Sequence, residues 1–119
     1  MEQNKNWIFD NCPFGILDIA FKRLFPGMEY TAIFYPSMRD DESGEKVYGF
    51  TNFADDGEIT ICIDTDLTIN DAVEIFAHEL AHVGVGEKHE HDEVWEQAFD
   101  DLFNEYNKIV EELFEIAGD

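Results

Sequence analysis

All four histidines of the 119-residue chain fall between His78 and His91. Two of them belong to the pentapeptide His78-Glu79-Leu80-Ala81-His82, the pattern H-E-x-x-H. On an α-helix, a spacing of four residues places two side chains on one face, where both imidazoles can bind a single metal ion. Zinc suits such ligands best. The pattern therefore predicts a metal site, and one Zn²⁺ per chain is the expected cofactor.

Glu79 is the candidate proton acceptor at this site. Because it follows His78 directly, its side chain points about 100° further round the helix than the first imidazole. From there its carboxylate can reach a metal-bound water without binding the ion itself. We expect Glu79 to be the catalytic residue, acting as a general base.

A catalytic zinc site uses three protein ligands and keeps one position open. The third ligand is sought among the residues that follow the motif: Glu87, His89, Glu90, His91, Asp92, Glu93 and Glu96. When the last helix is extended backward at about 100° per residue, His91 falls on its apolar stripe, four residues before Trp95. His89 and Glu96 fall toward the polar side. We therefore predict His91 as the third ligand, with Glu96 second and His89 third.

The first predicted helix precedes the strands. Asp10 or Asn11 can cap it, Pro13 suits its first turn, and Pro26-Gly27 ends it. Its apolar residues recur at helical spacing and form one stripe: Phe14, Leu17, Phe21 and Leu24.

The second predicted helix carries the histidine motif. It begins near Thr68, where Asp71 three residues later matches a capping box. Gly84 is expected to end it. Its inward stripe is predicted to consist of four apolar residues: Val73, Phe76, Ala77 and Leu80.

Three runs between these helices are predicted strands, at residues 30–35, 47–53 and 59–64. They are rich in aromatic and β-branched residues, and the third alternates isoleucine with Thr, Cys and Asp. Asp55-Asp56-Gly57 predicts a tight hairpin turn. We expect a small three-stranded, mostly antiparallel sheet with one buried face, and a polar surface loop over residues 37–45.

A long amphipathic helix is predicted from Val94 to the end of the chain. Its apolar positions recur from Trp95 to Ala117, and the opposite side is almost wholly Glu, Asp, Asn and Gln. With some 25 residues it would be about 37 Å long. The expected fold class is α+β, in a single domain over residues 1–119.

The chain carries 28 acidic and 7 basic residues, for a net charge of −21. Nucleic acids and anionic membrane surfaces are bound by clusters of Lys and Arg, which this sequence lacks, so we expect neither partner. Residues 1–7 lack the apolar core of a signal peptide and no run of 18 apolar residues occurs, so we expect neither a signal peptide nor a membrane span. Cys12 and Cys62 are expected to be reduced thiols of a cytoplasmic protein.

Residues 75–103 resemble the small zincin-type metallopeptidases, in particular SprT-like and related minimal phage or bacterial enzymes. The resemblance rests on the H-E-x-x-H motif, a short loop containing glycine, and His91-Asp92-Glu93-Val94-Trp95. It implies a zincin-like fold, zinc bound by His78, His82 and His91, and Glu79 as the catalytic base of peptide hydrolysis. It also implies that the strand formed by residues 58–63 is an edge strand that pairs with an extended substrate.

The sequence departs from the patterns of several related groups of metallopeptidases. Metzincins need glycine three residues and histidine six residues past His82, where this chain has Val85 and Lys88. ImmA/IrrE-like metallopeptidases would use a carboxylate such as Glu96 as the third ligand, and they match less well. SprT-like enzymes that act on DNA-bound proteins carry basic surfaces or DNA-binding modules, so DNA-directed proteolysis is not expected here.

The sequence does not single out the residues that orient the histidine ligands or stabilise an oxyanion. Asp92, Asp71 and Glu74 lie near the histidines in sequence and are candidates to orient them. Tyr35 and Tyr48 are possible oxyanion donors, but both are expected to be aromatic residues of the core or of a sheet face.

The leading functional hypothesis is a zinc metallopeptidase that hydrolyses a peptide or protein substrate. The substrate could be basic, because Asp64, Asp66 and the acidic last helix would attract positive charge. One alternative is a non-enzymatic acidic interaction protein, such as a DNA mimic or inhibitor. Another is a structural zinc-binding domain closed by a fourth ligand such as His89 or Glu87. The oligomeric state is open.

Overall fold

The computed structural model describes residues 11–116, so the cap proposed at Asp10 lies outside the described residues. The elements are α1 (Pro13–Leu24), β1 (Thr31–Tyr35), β2 (Gly49–Phe53), β3 (Ile59–Asp64), α2 (Ile69–Val85) and α3 (Glu93–Ile116). This is the predicted α+β order of one helix, three strands and two helices. Within the described residues, no helix is both long enough and apolar enough to cross a membrane.

The starts of α1 and α2 differ in how they are capped. Cys12, rather than the predicted Asn11, precedes the first residue of α1, and its side chain makes no capping hydrogen bond. At α2 the predicted cap is confirmed, because Thr68 Oγ1 accepts a hydrogen bond of 3.2 Å from the Asp71 main-chain N–H. This bond satisfies one of the free N–H groups at the helix start.

The predicted end of α2 at Gly84 is wrong. The helix continues to Val85, and Gly86 follows it with a φ of 93°, a value that favours glycine. Gly84 instead packs closely against Phe25, since a Cβ atom at this position would lie 2.7 Å from the Phe25 ring, which would have to shift. The main-chain N–H of Gly86 donates a hydrogen bond of 2.9 Å to the main-chain oxygen of His82, so the next loop begins one turn after His82.

The sheet order is β1-β3-β2, with β3 in the centre. β2 pairs antiparallel with β3 through the predicted hairpin, whereas β1 pairs parallel with β3. The prediction of a mostly antiparallel sheet is therefore wrong for β1. The long connection between β1 and β2 lets the hairpin place β3, not β2, against β1, and sequence order alone does not determine this choice. β2 is left as an edge strand beside α2.

One apolar core holds these elements together. The stripes predicted for the helices face inward and meet Ile61 and Ile63 of β3, and the side chains that lose all exposure include Leu17, Phe21, Ala77, Leu80 and Leu102. Burying a large apolar side chain stabilises a fold by about 1.5–3 kcal/mol. Because α2 packs against α1, α3, β2 and β3 at once, this core fixes the position of the histidine motif.

The opposite face of β3 is not open to solvent as predicted. Cys62 and Asp64 are both buried there. Lys46, from the loop that joins β1 to β2, lies 2.6 Å from the Asp64 carboxylate. Both Cys62 and Cys12 are free thiols, as expected.

Candidate metal centre

Three histidines converge on one point. His78 and His82 lie one turn apart on α2, and His91 approaches them from the loop before α3. One ring nitrogen of each lies within 4.8 Å of those of the other two, and the Nε2 atoms of His78 and His91 are 3.0 Å apart. Nitrogen ligands on a tetrahedral zinc ion are about 3.3 Å apart, given bonds of about 2.0–2.1 Å. These three side chains could therefore bind one metal ion.

A strained loop directs His91 toward α2. His91 has a φ of 57°, which is uncommon for a residue other than glycine and costs about 1–3 kcal/mol. Asp92 anchors the turn, because its Oδ1 accepts a hydrogen bond of 3.0 Å from the Trp95 main-chain N–H at the start of α3. Its Oδ2 lies 2.8 Å from His89 Nδ1. Asp92 thus shapes the loop that carries His91.

Trp95 packs against all three histidines. Its ring centroid lies 4.7 Å from that of His78, 5.4 Å from that of His82 and 4.8 Å from that of His91. Its Nε1 donates a hydrogen bond of 3.3 Å to the main-chain oxygen of His78. The indole is only 8% exposed and stacks on Phe99. It restricts the orientations that the three imidazoles can adopt.

The surroundings favour neutral histidines. Burial, together with the charges that His82 and His91 would carry, lowers the pKa of His78 to about 4. Burial and His91 also lower the pKa of His82. Both imidazoles are therefore neutral near pH 7, the form that binds metal ions.

Glu79 faces the same cavity as the histidines. Its side chain is only 6% exposed, and its Oε1 accepts a hydrogen bond of 2.7 Å from Thr51 Oγ1 on β2. Burial raises the pKa of Glu79, while the Thr51 hydroxyl and His91 act in the opposite direction. The carboxylate thus binds a proton more readily than an exposed glutamate does.

The cavity that contains these groups has a volume of about 410 Å³. Besides the three histidines and Glu79, it is lined by residues of β2 and of the loop before α3: Gly49, Phe50, Thr51, Phe53, Glu87 and Glu90. Among the described residues, neither Lys nor Arg lines it. The cavity is therefore acidic around the histidines.

The edge strand beside this cavity is β2, not the predicted strand at residues 58–63. That segment forms β3, which has a strand on each side and cannot pair with a further chain. The main-chain hydrogen bonds of Asp64 to Tyr48 and of Ala54 to Glu58 set the pairing of the hairpin. By the alternation of an antiparallel ladder, the N–H and C=O groups of Gly49, Thr51 and Phe53 point away from β3. In the part of the chain that is described, no strand pairs with them.

The other candidate ligands do not join the cluster. His89 pairs with Asp92 instead, and Glu96 does not belong to the group of candidate ligands that the three histidines form. Tyr35 and Tyr48 line other cavities, so neither is placed to contact a group at the histidines. Among the described residues, no carboxylate accepts a hydrogen bond from the three histidine rings, and Asp71 and Glu74 line a separate cavity.

The predicted source of acidic attraction is also wrong in part. Asp64 is buried, and both Asp64 and Asp66 lie within 3 Å of Lys46 Nζ. Lys46 balances one of these two negative charges, and the Asp64 carboxylate is not exposed to a ligand. Besides Glu79, the acids that line the cavity are Glu87 and Glu90, and no ion pair with Lys or Arg engages either of them within the described residues.

Gly49, Thr51 and Phe53 are the residues of the cavity that the sequence-based analysis missed. Their period-two spacing in a predicted strand places them on one face, which is a readable signal. Which face meets α2 depends on the strand order, and that order is set by contacts distant in sequence.

No family model matches the chain, and comparisons with characterised proteins and with solved structures give no significant match. The resemblance of residues 75–103 to zincins and the zincin-like fold stay predictions.

Proposed function

We propose that this chain is a zinc-dependent metallopeptidase in which His78, His82 and His91 hold the ion and Glu79 is the general base. The observation that carries the proposal is that a buried carboxylate and three converging histidines face one cavity. A purely structural site needs no such carboxylate. An edge strand with free main-chain groups lines the same cavity, as peptide recognition by strand addition requires.

The donor set fits zinc. Neutral imidazoles are common zinc ligands, and three of them leave a coordination position open. Within the described residues, no fourth His, Cys, Asp or Glu donor belongs to this group. When bound in such a site, zinc lowers the pKa of water toward about 7 and polarises a carbonyl group.

The two carboxylate oxygens of Glu79 would have different roles. Oε1 is held by Thr51, which leaves Oε2 to take a proton from the attacking water. Glu79 would then give this proton to the amine nitrogen as the peptide bond breaks. Its raised pKa suits the acceptor step, because a weakly solvated carboxylate binds the proton more tightly.

The substrate would bind as an extended peptide along the free edge of β2. The outward main-chain groups of Gly49, Thr51 and Phe53 offer hydrogen bonds, and Phe53, which shares the face of β2 toward α2, offers apolar contact. This edge replaces the strand at residues 58–63 that the family resemblance implied.

A basic residue near the cleaved bond would be favoured by Glu87 and Glu90. Three peptides that differ at one position test this preference, with lysine, norleucine or glutamate beside the cleaved bond. We expect kcat/KM to follow the order lysine, norleucine, glutamate at low salt, with smaller differences at high salt. Equal kcat/KM values for the three peptides would contradict a role for these acids.

The first experiment measures metal content and cleavage on protein purified without a histidine tag. We expect about one zinc per chain, and much less in His91→Ala. The matched control is His89→Ala, which removes a neighbouring imidazole that lies outside the cluster. Chelation should stop peptide cleavage while the fold persists, and added zinc should restore it.

The alternatives give different results. Unfolding on chelation would favour the structural zinc domain. A folded protein without stoichiometric metal would favour the acidic interaction protein and reject the peptidase.

A further inference from the structure

We propose that Thr51 is a positioning residue for Glu79, in that its hydroxyl fixes one carboxylate oxygen so that the other faces the histidines. This inference rests on the proposed peptidase function. Thr51 belongs to β2 and Glu79 to α2, so the contact joins the edge strand to the helix that carries two of the histidines.

The hydrogen bond between them is short and partly buried. Thr51 Oγ1 lies 2.7 Å from Glu79 Oε1, the distance of a hydrogen bond assisted by charge. Among the hydrogen bonds of the described residues, the Glu79 carboxylate takes part in this one alone. A glutamate side chain has several rotatable bonds, so this contact at Oε1 is the hydrogen bond that restricts where Oε2 can lie.

Gly49 makes this contact possible. A Cβ atom at Gly49 would lie 2.5 Å from Ile75 Cγ2 of α2 and 3.2 Å from the Cys62 main-chain oxygen. The helix therefore packs so close to β2 that only glycine fits at this position. The same Cβ would lie 3.6 Å from Glu79 Oε2, so the missing side chain also leaves space beside the free oxygen.

Thr51 would connect substrate binding with proton transfer. Its main-chain groups lie on the free edge of β2, while its side chain holds Glu79. Threonine is stiff at χ1, so the direction of its hydroxyl follows the strand. Thr51 would thus position both a peptide paired with β2 and the Glu79 carboxylate.

The test replaces the hydroxyl and keeps the shape. Thr51→Val should retain about one zinc per chain and a KM within about 2-fold of wild type. Its kcat should fall by about 10–100-fold, as for other residues that orient groups at a metal site. Thr51→Ser restores the donor and should recover kcat to within about 3-fold of wild type. The matched control is Thr60→Val, the same change on the opposite face of the sheet, which should leave kcat unchanged.

The outcomes separate this inference from the peptidase itself. If Glu79→Gln is inactive but Thr51→Val keeps the wild-type kcat, the positioning role is rejected and the peptidase stands. If Thr51→Val loses zinc or raises KM in parallel, the role is structural and the inference is also rejected. Absence of cleavage by the wild type rejects both. Thr51→Ala gives the same comparison where the valine variant does not fold.

Discussion

Asp64 and Glu79 are the two charged residues that are buried among the described residues, and they have different partners. Asp64 lies 2.6 Å from the ammonium group of Lys46. Glu79 has no cationic side chain at hydrogen-bonding distance and accepts a bond from the neutral hydroxyl of Thr51. Lys46 lowers the pKa of Asp64, whereas burial raises the pKa of Glu79.

The difference separates a structural carboxylate from a reactive one. A buried charge that meets an opposite charge holds two segments together, here β3 and the loop that carries Lys46. A buried carboxylate without a cation stays costly to ionise and ready to take a proton. Only Glu79 faces the cavity of the histidines. We therefore assign stability to Asp64 and proton transfer to Glu79.

The largest expected effect concerns turnover. Glu79→Gln should lower kcat by about 10²–10⁴-fold, because the amide cannot accept the proton from water. Asp64→Asn should leave kcat within about 2-fold, because Asp64 does not line the cavity. Steady-state kinetics with zinc content measured on each sample checks this. Equal losses of kcat in the two variants, both folded and zinc-loaded, would contradict the assignment of proton transfer to Glu79 alone.

The next effect concerns the cation beside Asp64. Lys46→Met should lower the midpoint of thermal unfolding, because it leaves a buried carboxylate without its counter-charge. Thr51→Val should lower the midpoint less, since the Glu79 carboxyl can bind a proton instead. Differential scanning calorimetry at neutral pH compares the two.

The matched control for Lys46→Met is Lys22→Met. Lys22 also pairs with an aspartate, Asp18, but its side chain is 62% exposed. Its replacement should change the midpoint little. A similar loss in both lysine variants would show that burial of Asp64 does not matter.

Acid should remove the contribution of Asp64. Its pKa in the folded protein lies below the ordinary value of 3.8, so the stabilisation is present above pH 3.8 and is lost as the pH falls through the folded pKa. The difference in unfolding free energy between wild type and Asp64→Asn should thus be constant from pH 7 to about 5 and shrink below 3.8. Urea unfolding of the metal-free proteins measures it, and a difference that grows on acidification would contradict the ion pair.

Local patterns in the sequence predicted the histidine cluster. The spacing of His78 and His82 follows from the helix repeat, and the apolar stripe of α3 placed His91 inward. The structure brings these three residues together. The ends of most elements were also predictable, because caps and turns depend on neighbouring residues.

The partners of the two carboxylates could not be predicted in this way. Thr51 and Glu79 are 28 residues apart, and their contact depends on β2 lying at the sheet edge beside α2. The alternation in residues 59–64 suggested that Asp64 faces solvent, but Lys46 and its loop cover that face. Both errors arise because contacts between distant segments have no periodic signal.

The smallest expected effect is on the thermal midpoint of Asp66→Asn, and it tests whether burial determines what an ion pair contributes. Lys46 Nζ lies 2.8 Å from Asp66 Oδ2, close to its 2.6 Å distance from Asp64, but the Asp66 side chain is 54% exposed and that of Asp64 is fully buried. Asp66→Asn should therefore shift the thermal midpoint by less than about 3 °C, because exposed ion pairs contribute little. Asp64→Asn should shift it further, since the buried amide leaves Lys46 without its shielded partner. Equal shifts would mean that proximity to the ammonium group, rather than burial, determines what each carboxylate contributes.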